Sequence, residues 1–263
     1  MSSRRRLALV AIARDEAPRI GRLLASAAPW VDDMLVLDTG SRDATPALAR
    51  AAGARVAHCA WRDDFAAARN AALDLAAADW HLVLDADEWI ADGGAQLAAL
   101  RDTAPGFVGA LNLVEHGAAS GGSDWISRVL PGAVRYAGRV HEQPQHALPV
   151  RRLPVVIGHD GYAPERMAAK RGRNRALLAA ELALRPDDAY LWYQLGKDCA
   201  VYDEHAEAAA AFERAQALRA AVPWQHDLAA RQLYALKKLA RHAEGLALAQ
   251  RLLGECAESP DFF

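Results

Sequence analysis

Three carboxylates crowd into four residues directly after an apolar run in "HLVLDADEW", residues 81–89. Residues two apart on extended backbone point the same way, so Asp85 and Asp87 are expected to face one pocket, with Ala86 between them leaving room for a ligand. Two carboxylates aimed together repel unless a cation lies between them. Hard divalent ions with oxygen ligands, Mn²⁺ or Mg²⁺, suit such a pair. The stretch therefore predicts a divalent metal site.

The elements before this stretch alternate between strand and helix. Continuous apolar runs predict buried strands, and amphipathic stripes between the runs predict helices. The four predicted strands cover residues 7–13, 34–39, 54–59 and 80–85. This alternation is typical of a parallel sheet covered on both faces, whose ligands bind beyond the carboxyl ends of the strands. Polar residues stand at three of those ends, and this co-location predicts a binding site.

Asp38 stands at the end of the second predicted strand, in the sequence "DTGS". Its carboxylate can accept hydrogen bonds from a base or a ribose. The same residues also fit an Asx turn in which Gly40 supplies the sharp bend, and such a turn is compatible with binding. Arg69 lies on the helix before the fourth strand, where it could pair with Asp38, with Asp64 or with a phosphate.

The second half of the chain changes pattern twice. From about residue 106 to 162, short strand candidates are separated by Gly, Pro and Ser, which predicts an antiparallel or irregular sheet. After Pro164, "DAYLWYQLGKDCAVYDEHAEAAAAFERAQALRAAVP" fits a tetratricopeptide (TPR) frame, with a degenerate unit on each side. The frame is matched by Trp192, Leu195, Gly196, Ala208, Phe212 and Ala215, while Cys199 takes the tyrosine position. We predict two domains, residues 1–163 and 164–263.

Four segments resemble, in order and spacing, the nucleotide-sugar half of family 2 glycosyltransferases with the GT-A fold. The segments are "VAIARDEAPRI", "MLVLDTGSRDAT", "FAAARNAAL" and "HLVLDADEW". The resemblance implies an α/β fold with a Rossmann-like mixed sheet, followed by an all-α TPR-like domain. With this tail, the chain is similar to the subgroup that contains bacteriocin-peptide S-glycosyltransferases and many bacterial relatives. Family members often have Asn-Glu where this chain has Arg14-Asp15, so its first nucleotide contacts are expected to differ.

The resemblance also implies roles for individual residues. Asp87 would bind the metal directly, Asp85 would contact the ribose or the metal through water, and Asp38 would contact the nucleoside. Further residues expected around the nucleotide sugar are Ala13, Asp15, Glu16, Arg69 and Ala86.

An inverting transfer also needs a carboxylate that deprotonates the acceptor as it attacks the anomeric carbon. The segments "GRVHEQP" and "GHDGY" each place a histidine beside a carboxylate. Glu142 is the first candidate for this base, and Asp160 is the second. His159 or His141 could complete the metal site, since imidazole also suits Mn²⁺.

The acceptor site is expected near "DWISRVL". Trp125 could stack on a sugar face there, with Arg128 beside it, although a core tryptophan is the favoured interpretation. Glu88 and His141 are further candidates near the acceptor, and Glu88 could instead be a solvated neighbour of the metal site. TPR-like helices often present a concave peptide-binding surface, which favours a peptide or protein acceptor, while a saccharide acceptor stays open.

Composition narrows the classes of protein further. A net charge of −2 and a pI near 6.5 give no overall field that would recruit nucleic acid or an acidic membrane. No apolar stretch is long enough for a membrane span, and three scattered cysteines indicate a reducing compartment, so we expect a cytoplasmic protein. The sequence contains no G-x-G-x-x-G, P-loop or G-x-S-x-G motif, which disfavours dinucleotide-binding, P-loop and hydrolase functions.

The leading hypothesis is a metal-dependent, inverting glycosyltransferase that uses a nucleotide-diphosphate sugar, with UDP as the first expected nucleotide. A second hypothesis is a scaffold protein whose TPR-like helices dock a partner and whose sheet domain no longer catalyses. A third is a sugar nucleotidyltransferase, which usually carries a glycine-rich basic loop that "ARDEAPRI" lacks. The helical tail could also form a homodimer.

Overall fold

The computed structural model describes residues 4–115, 123–160 and 164–253. The chain divides into two compact units, Met1–Arg166 and Met167–Phe263. The domain boundary predicted after residue 163 falls at the edge of residues 161–163, which lie outside the described residues, and it stays a prediction.

The N-terminal unit is built on an eight-stranded mixed sheet. Its strands are β1 (Leu7–Ala13), β2 (Asp33–Asp38), β3 (Arg55–His58), β4 (Trp80–Val83), β5 (Glu88–Asp92), β6 (Val108–Glu115), β7 (Ser123–Pro131) and β10 (Val150–His159). Their spatial order is β3-β2-β1-β4-β7-β6-β10-β5. The short strands β8 (Arg135–Ala137) and β9 (Gln143–Gln145) form a separate antiparallel pair.

The half of the sheet formed by β3, β2, β1 and β4 is parallel, as the apolar runs predict. Its helices are α1 (Ala17–Ala27), α2 (Thr45–Ala51) and α3 (Phe65–Ala76), and a 3-10 helix, Gly94–Asp102, follows β5. Successive residues of β1 belong to different cores, because side chains alternate across a strand. Leu7 shares a core with Leu23 of α1, and Ala8 shares the other with Leu73 of α3. The predicted α/β sheet with two covered faces is therefore confirmed.

The other half of the sheet is mixed and irregular. β7 runs antiparallel to both β4 and β6, whereas β10 is parallel to β6 and antiparallel to β5. The register shifts in three of these pairs, so the strands bulge. The sequence predicts the irregularity, but it does not predict the parallel pairing of β10 with β6.

β4 ends at Val83, two residues before its predicted end. Residues 85–88 form a turn instead, which is closed by a hydrogen bond of 2.9 Å from Glu88 N to Asp85 O. The Asp85 N–H also donates to the Glu88 carboxylate at 2.9 Å. The expectation that Asp85 and Asp87 lie on extended backbone is thus wrong, because the Glu88 side chain binds the backbone of its own turn and bends the chain.

The C-terminal unit is all helical in its described part. Its helices are α4 (Pro164–Leu184), α5 (Ala189–Val201), α6 (His205–Leu218), α7 (Gln225–Lys238) and α8 (His242–Leu252), the first of which begins in the other unit. The TPR frame has a packing basis: a Cβ atom at Gly196 would lie 2.4 Å from the Phe212 ring, so glycine is what lets α5 and α6 approach. None of the helices in the described residues combines the length and the apolar character that crossing a membrane requires.

Candidate functional site

The loops that follow β1 and β2 are tied together at the carboxyl edge of the sheet. Thr39 N donates to Ala13 O at 2.9 Å, so the expected nucleotide residue Ala13 offers its backbone to the neighbouring loop. Asp15 has a positive φ of 55°, its N–H donates to Ser41 Oγ at 2.9 Å, and its carboxylate accepts from Arg42 N at 2.7 Å. The loops after β1 and β2 are thus joined by hydrogen bonds into one surface.

Glu16 belongs to the same surface, because its N–H donates to Thr45 Oγ1 at 2.7 Å. Its carboxylate pairs with Arg19 at 3.3 Å. The three residues expected at the start of the nucleotide site therefore lie together, with backbone groups as their main contacts.

Asp38 ends β2 and is almost fully buried, at 3% exposure. Its carboxylate accepts hydrogen bonds from Gly40 N at 3.2 Å and from Ser41 N at 3.2 Å, and His58 Nδ1 lies 3.2 Å away. Burial raises the pKa of Asp38, but the hydrogen bonds from Ser41 and Gly40 outweigh this effect and hold the pKa below its usual value. The Asx turn that the sequence predicts is present, and it keeps an ionised carboxylate at the strand end.

Arg69 contacts neither Asp38 nor Asp64, two of the partners considered from the sequence. Its guanidinium lies between two other carboxylates, with Nη2 at 2.6 Å from Asp85 Oδ1 and Nε at 2.5 Å from Glu142 Oε1. Asp64 instead caps α3 by accepting a hydrogen bond from Ala67 N. Arg69 is therefore a bridge between the end of β4 and the segment that carries the first candidate base.

Arg128 completes this charged cluster from β7. Its Nη2 atom donates to Asp85 Oδ2 at 2.9 Å and also to Glu88 Oε1. Five side chains now form one network, which we call the arginine–carboxylate cluster: Arg69, Asp85, Glu88, Arg128 and Glu142. Burial raises the pKa of Asp85, but the two arginines hold that pKa far below its usual range.

These contacts change two expectations about the acceptor. The Arg128 side chain is only 14% exposed and its guanidinium points at the acids, so it does not line an open acceptor cleft. Glu88 is 2% exposed and accepts from both Arg128 and Asp85 N, so it is neither a solvated neighbour nor a residue that meets an acceptor in this conformation. Ala86 is also buried, in the core that contains Leu23, and does not line an open cleft.

Asp87 lies in the middle of the turn and faces β10. Its Oδ2 atom is 3.6 Å from Nε2 of His159, and its carbonyl accepts from Asp160 N at 3.4 Å. The structure thus brings together the direct metal ligand and the histidine that the sequence and the resemblance suggest. Within the described residues, no group of three or more His, Cys, Asp and Glu side chains could hold a metal by itself.

Asp160 and His141, the second candidates, have other surroundings. The Asp160 carboxylate lies 2.5 Å from Arg22 Nη2 and 3.4 Å from Arg19 Nε, both on α1. Arg22 in turn lies over the Trp89 ring, 3.7 Å from its centroid. His141 has a positive φ of 52° and precedes Glu142 in a bend, so the two adjacent residues do not share an extended strand end.

Trp125 is set apart from the cluster. It lies on β7 opposite Asn112, and its side chain is 40% exposed. The Arg152 guanidinium lies 5.0 Å from its ring centroid. The alternative that Trp125 is a core residue is therefore wrong, and an exposed aromatic surface remains.

Two residues of the site escape the sequence analysis. Tyr136 is buried, with its ring centroid 5.5 Å from the Arg69 guanidinium. His58 contacts Asp38, and its Nε2 atom lies 2.8 Å from Arg50 Nη2. His58 ends β3, the strand that pairs with β2 beside Asp38, and this position at a strand end is the signal that could have marked it.

Helices lie on both faces of a mixed sheet, and acids follow the carboxyl ends of its parallel strands, an arrangement consistent with a GT-A-type α/β domain. Residues 9–114 match the family model "Glycosyl transferase family 2". The resemblance to this family that the sequence shows is therefore confirmed over residues 9–114.

Two curated relatives are similar over most of this chain. A TPR repeat-containing protein of Synechococcus elongatus is 39% identical over 207 residues, which are 72% of this chain and 51% of the relative. The SPbeta prophage-derived glycosyltransferase SunS of Bacillus subtilis is 25% identical over 210 residues, which are 75% of this chain and 50% of that protein. The chain thus spans about half the length of the curated relatives that it matches.

Among solved structures, similarity is found to glucosyl-3-phosphoglycerate synthase from Mycobacterium tuberculosis. A complex with Mn²⁺, UDP and phosphoglyceric acid is 25% identical, with a TM-score of 0.35, over 43% of this chain and 44% of that one. A complex with Mn²⁺, UDP and glucosyl-3-phosphoglycerate is 18% identical, with a TM-score of 0.46, over 68% of this chain and 79% of that one.

Proposed function

We propose that this protein is an inverting glycosyltransferase that uses a nucleotide-diphosphate sugar, with UDP as its nucleotide and a divalent ion as its cofactor. The observation that carries the proposal is the set of acids at the carboxyl edge of the sheet, Asp38, Asp85 and Asp87, inside the residues that match the family. The likeness to SunS, which is named a glycosyltransferase, supports the same reaction class.

The residues around Asp87 fit a divalent ion. Its carboxylate oxygen and the His159 imidazole nitrogen are 3.6 Å apart, and this oxygen and nitrogen pair suits Mn²⁺ and, through the oxygen, Mg²⁺. Such ions commonly take one or two protein ligands and complete their shell with phosphate and water. When bound, the ion would supply charge that offsets the departing diphosphate.

The protein residues would then divide the remaining tasks. Asp38, held ionised by the backbone of its turn, would accept hydrogen bonds from the nucleoside. Asp85 would orient the ribose while Arg69 and Arg128 compensate its charge. The hydrogen-bonded loops after β1 and β2 would form a further side of the nucleotide site.

Glu142 remains our first choice for the base that deprotonates the acceptor. It shares Arg69 with Asp85, and this contact supports a role beside the proposed donor site, whereas Asp160 is held by Arg19 and Arg22 on α1. Arg69 donates to Glu142 Oε1, so this contact must open before that oxygen can take a proton from the acceptor. The exposed ring of Trp125 is the surface that we assign to the acceptor, a peptide, a protein or a saccharide.

The test is calorimetry of the full chain with UDP, with and without Mn²⁺. We expect binding that needs Mn²⁺ in the wild type and a loss of at least tenfold in affinity in Asp87→Ala, because the metal loses its carboxylate. Asp92→Ala is the matched control, since Asp92 is an exposed acid at the far end of β5, and it should bind as the wild type does.

Two outcomes would contradict the proposal. A folded wild-type protein that binds no UDP with either metal would favour the scaffold hypothesis. Full Mn²⁺-dependent binding by a folded Asp87→Ala variant would remove Asp87 from the metal site.

A further inference from the structure

Arg128 holds both ends of the turn that carries Asp87. One nitrogen, Nη2, donates to Asp85 at the first position of the turn and to Glu88 at the fourth. Two further hydrogen bonds join the same two residues. Glu88 N donates to the Asp85 carbonyl, and Asp85 N donates to Glu88 Oε2 of the side chain. Asp87 is therefore carried on a short segment whose first and last side chains share one cation.

The strand pairing explains how Arg128 reaches the turn. Val129 lies opposite Gly109 of β6 and Ser127 lies opposite Ala110, so Arg128 is the extra residue of a bulge in β7. A bulge re-aims a side chain and is frequent beside active sites. Val129 also pairs with Leu82 of β4, which places the bulge next to the end of that strand.

Gly109 is part of the same arrangement. A Cβ atom at this position would lie 2.8 Å from Val129 Cβ and 2.8 Å from Leu153 Cδ1. The close approach of β6 to the bulge thus depends on a glycine, and the bulge in turn sets the direction of the Arg128 side chain.

The charges of the arginine–carboxylate cluster explain why Arg128, and not Arg69, joins Asp85 to Glu88. The arginine–carboxylate cluster holds three carboxylates and two guanidinium groups, so neither arginine can leave without exposing buried acids to each other. Arg69 is divided between Asp85 and Glu142 and does not contact Glu88. Arg128 is accordingly the cation that joins Asp85 to Glu88.

We propose that Arg128 is a positioning residue, which fixes the turn of residues 85–88 before any ligand binds and thereby sets where Asp87 presents its carboxylate. Its effect on donor binding rests on the proposed function, whereas its effect on the turn does not. The Arg128 Nε atom has no hydrogen-bond partner in the described part of the chain, so the contact is made by the end of the side chain.

The main variant is Arg128→Met/Glu88→Gln, which removes the cation without leaving an additional buried charge. The introduced glutamine amide would still accept from Asp85 N, so the backbone turn can form. The matched control is Arg101→Met/Asp32→Asn, a pair at the opposite edge of the sheet, where Arg101 is 11% exposed and Asp32 accepts from Leu7 N. Arg128→Lys, which returns one cation to the same place, is the conservative variant.

Two readouts separate positioning from a merely structural role. Amide hydrogen exchange of residues 84–90 in the ligand-free protein reports the turn itself, and calorimetry with Mn²⁺ and UDP reports its consequence. We expect exchange at least tenfold faster and affinity at least tenfold weaker in Arg128→Met/Glu88→Gln, with partial rescue in Arg128→Lys. The Arg101→Met/Asp32→Asn variant should match the wild type in both readouts.

Exchange and affinity within twofold of the wild type in a folded Arg128→Met/Glu88→Gln variant would overturn the proposal. If that variant does not fold, Arg128→Lys decides the question. Wild-type exchange and wild-type affinity in Arg128→Lys would support the proposal by showing that one cation suffices at this place. A loss of affinity equal to that of Asp87→Ala, with the turn still protected from exchange, would overturn the proposal. If the wild type binds no UDP, the proposed function fails, but the exchange experiment still tests Arg128.

Discussion

At the scale of single residues, the crowded acids at the end of β4 are compensated by the chain itself. The sequence alone suggests that a divalent ion is necessary there, yet Asp85 is bound by two arginines and Glu88 by one of them. Removing one partner of a buried ion pair costs about 3–5 kcal/mol, because the other charge stays behind in an apolar place. The acids at the end of β4 therefore have charged partners within the chain before a ligand arrives, and we propose that the divalent ion serves the reaction rather than the fold.

His81 on β4 gives a prediction at this scale. Its side chain is buried, its Nε2 atom accepts a hydrogen bond from Ala78 N at 3.3 Å, and its Nδ1 atom has no partner in the described residues. Burial, aided by the charge of Arg135, lowers the pKa of His81 to about 4. A protonated imidazole would lose the bond from Ala78 N and would place a charge in the core.

The pH dependence follows from this low pKa. The unfolded chain binds the proton below its ordinary pKa of 6.5 and the folded protein only near 4, so the stability from neutral His81 is complete above pH 6.5 and is lost as the pH falls. We expect the wild type to lose about 2 kcal/mol more of its free energy of unfolding between pH 7 and pH 5 than His81→Gln does. Urea unfolding at both pH values measures the difference, and equal losses in the two proteins would contradict it.

At the scale of secondary-structure elements, the sequence predicts those features that depend on residues close together in the chain. β1 has its predicted bounds of residues 7–13, because its short apolar run suits a strand buried on both faces and is flanked by Arg6 and Arg14. β4 ends earlier than predicted, because the Glu88 side chain bonds the backbone of its own turn. Arg128 lies 43 residues from Asp85, and its aim depends on a bulge between β6 and β7, which no nearby residue signals.

The packing of α5 on α6 gives a prediction at the same scale. Alanine favours a helix interior over glycine by about 1 kcal/mol. At Gly196, however, the new methyl group would lie 2.4 Å from the Phe212 ring, which is fully buried and cannot move away. Overpacking of this kind costs about 1–3 kcal/mol, so Gly196→Ala should destabilise the helical unit.

Gly172→Ala in α4 is the matched control. Within the described residues, and leaving out the helix's own backbone, no atom lies within 4 Å of a Cβ there, so the same substitution should stabilise the helix by up to about 1 kcal/mol. Thermal unfolding followed by circular dichroism measures both variants. A Gly196→Ala protein as stable as Gly172→Ala would show that the two helices are not in close contact.

At the scale of the whole molecule, the chain separates the proposed chemistry from the helical repeats. All residues assigned to the donor, the metal and the base lie in the unit Met1–Arg166, which has two apolar cores of its own. The helical unit has a third core, around Phe212, Leu228 and Leu248. The matched family residues lie wholly in the first unit, and we propose that the helical repeats supply acceptor contacts in addition to Trp125.

This separation predicts the behaviour of a fragment. Residues 1–163 should fold and bind UDP in the presence of Mn²⁺ with a Kd within about threefold of the full chain, a difference of about 0.7 kcal/mol, because every donor contact lies inside it. Transfer to a peptide or protein acceptor should fall much further, since the fragment keeps Trp125 but lacks the acceptor contacts that we propose for the repeats. Calorimetry and a donor-turnover assay on both proteins measure the two effects, with fragment 1–163 carrying Asp87→Ala as the negative control. A folded fragment that binds no UDP would show that the helical unit contributes to the donor site.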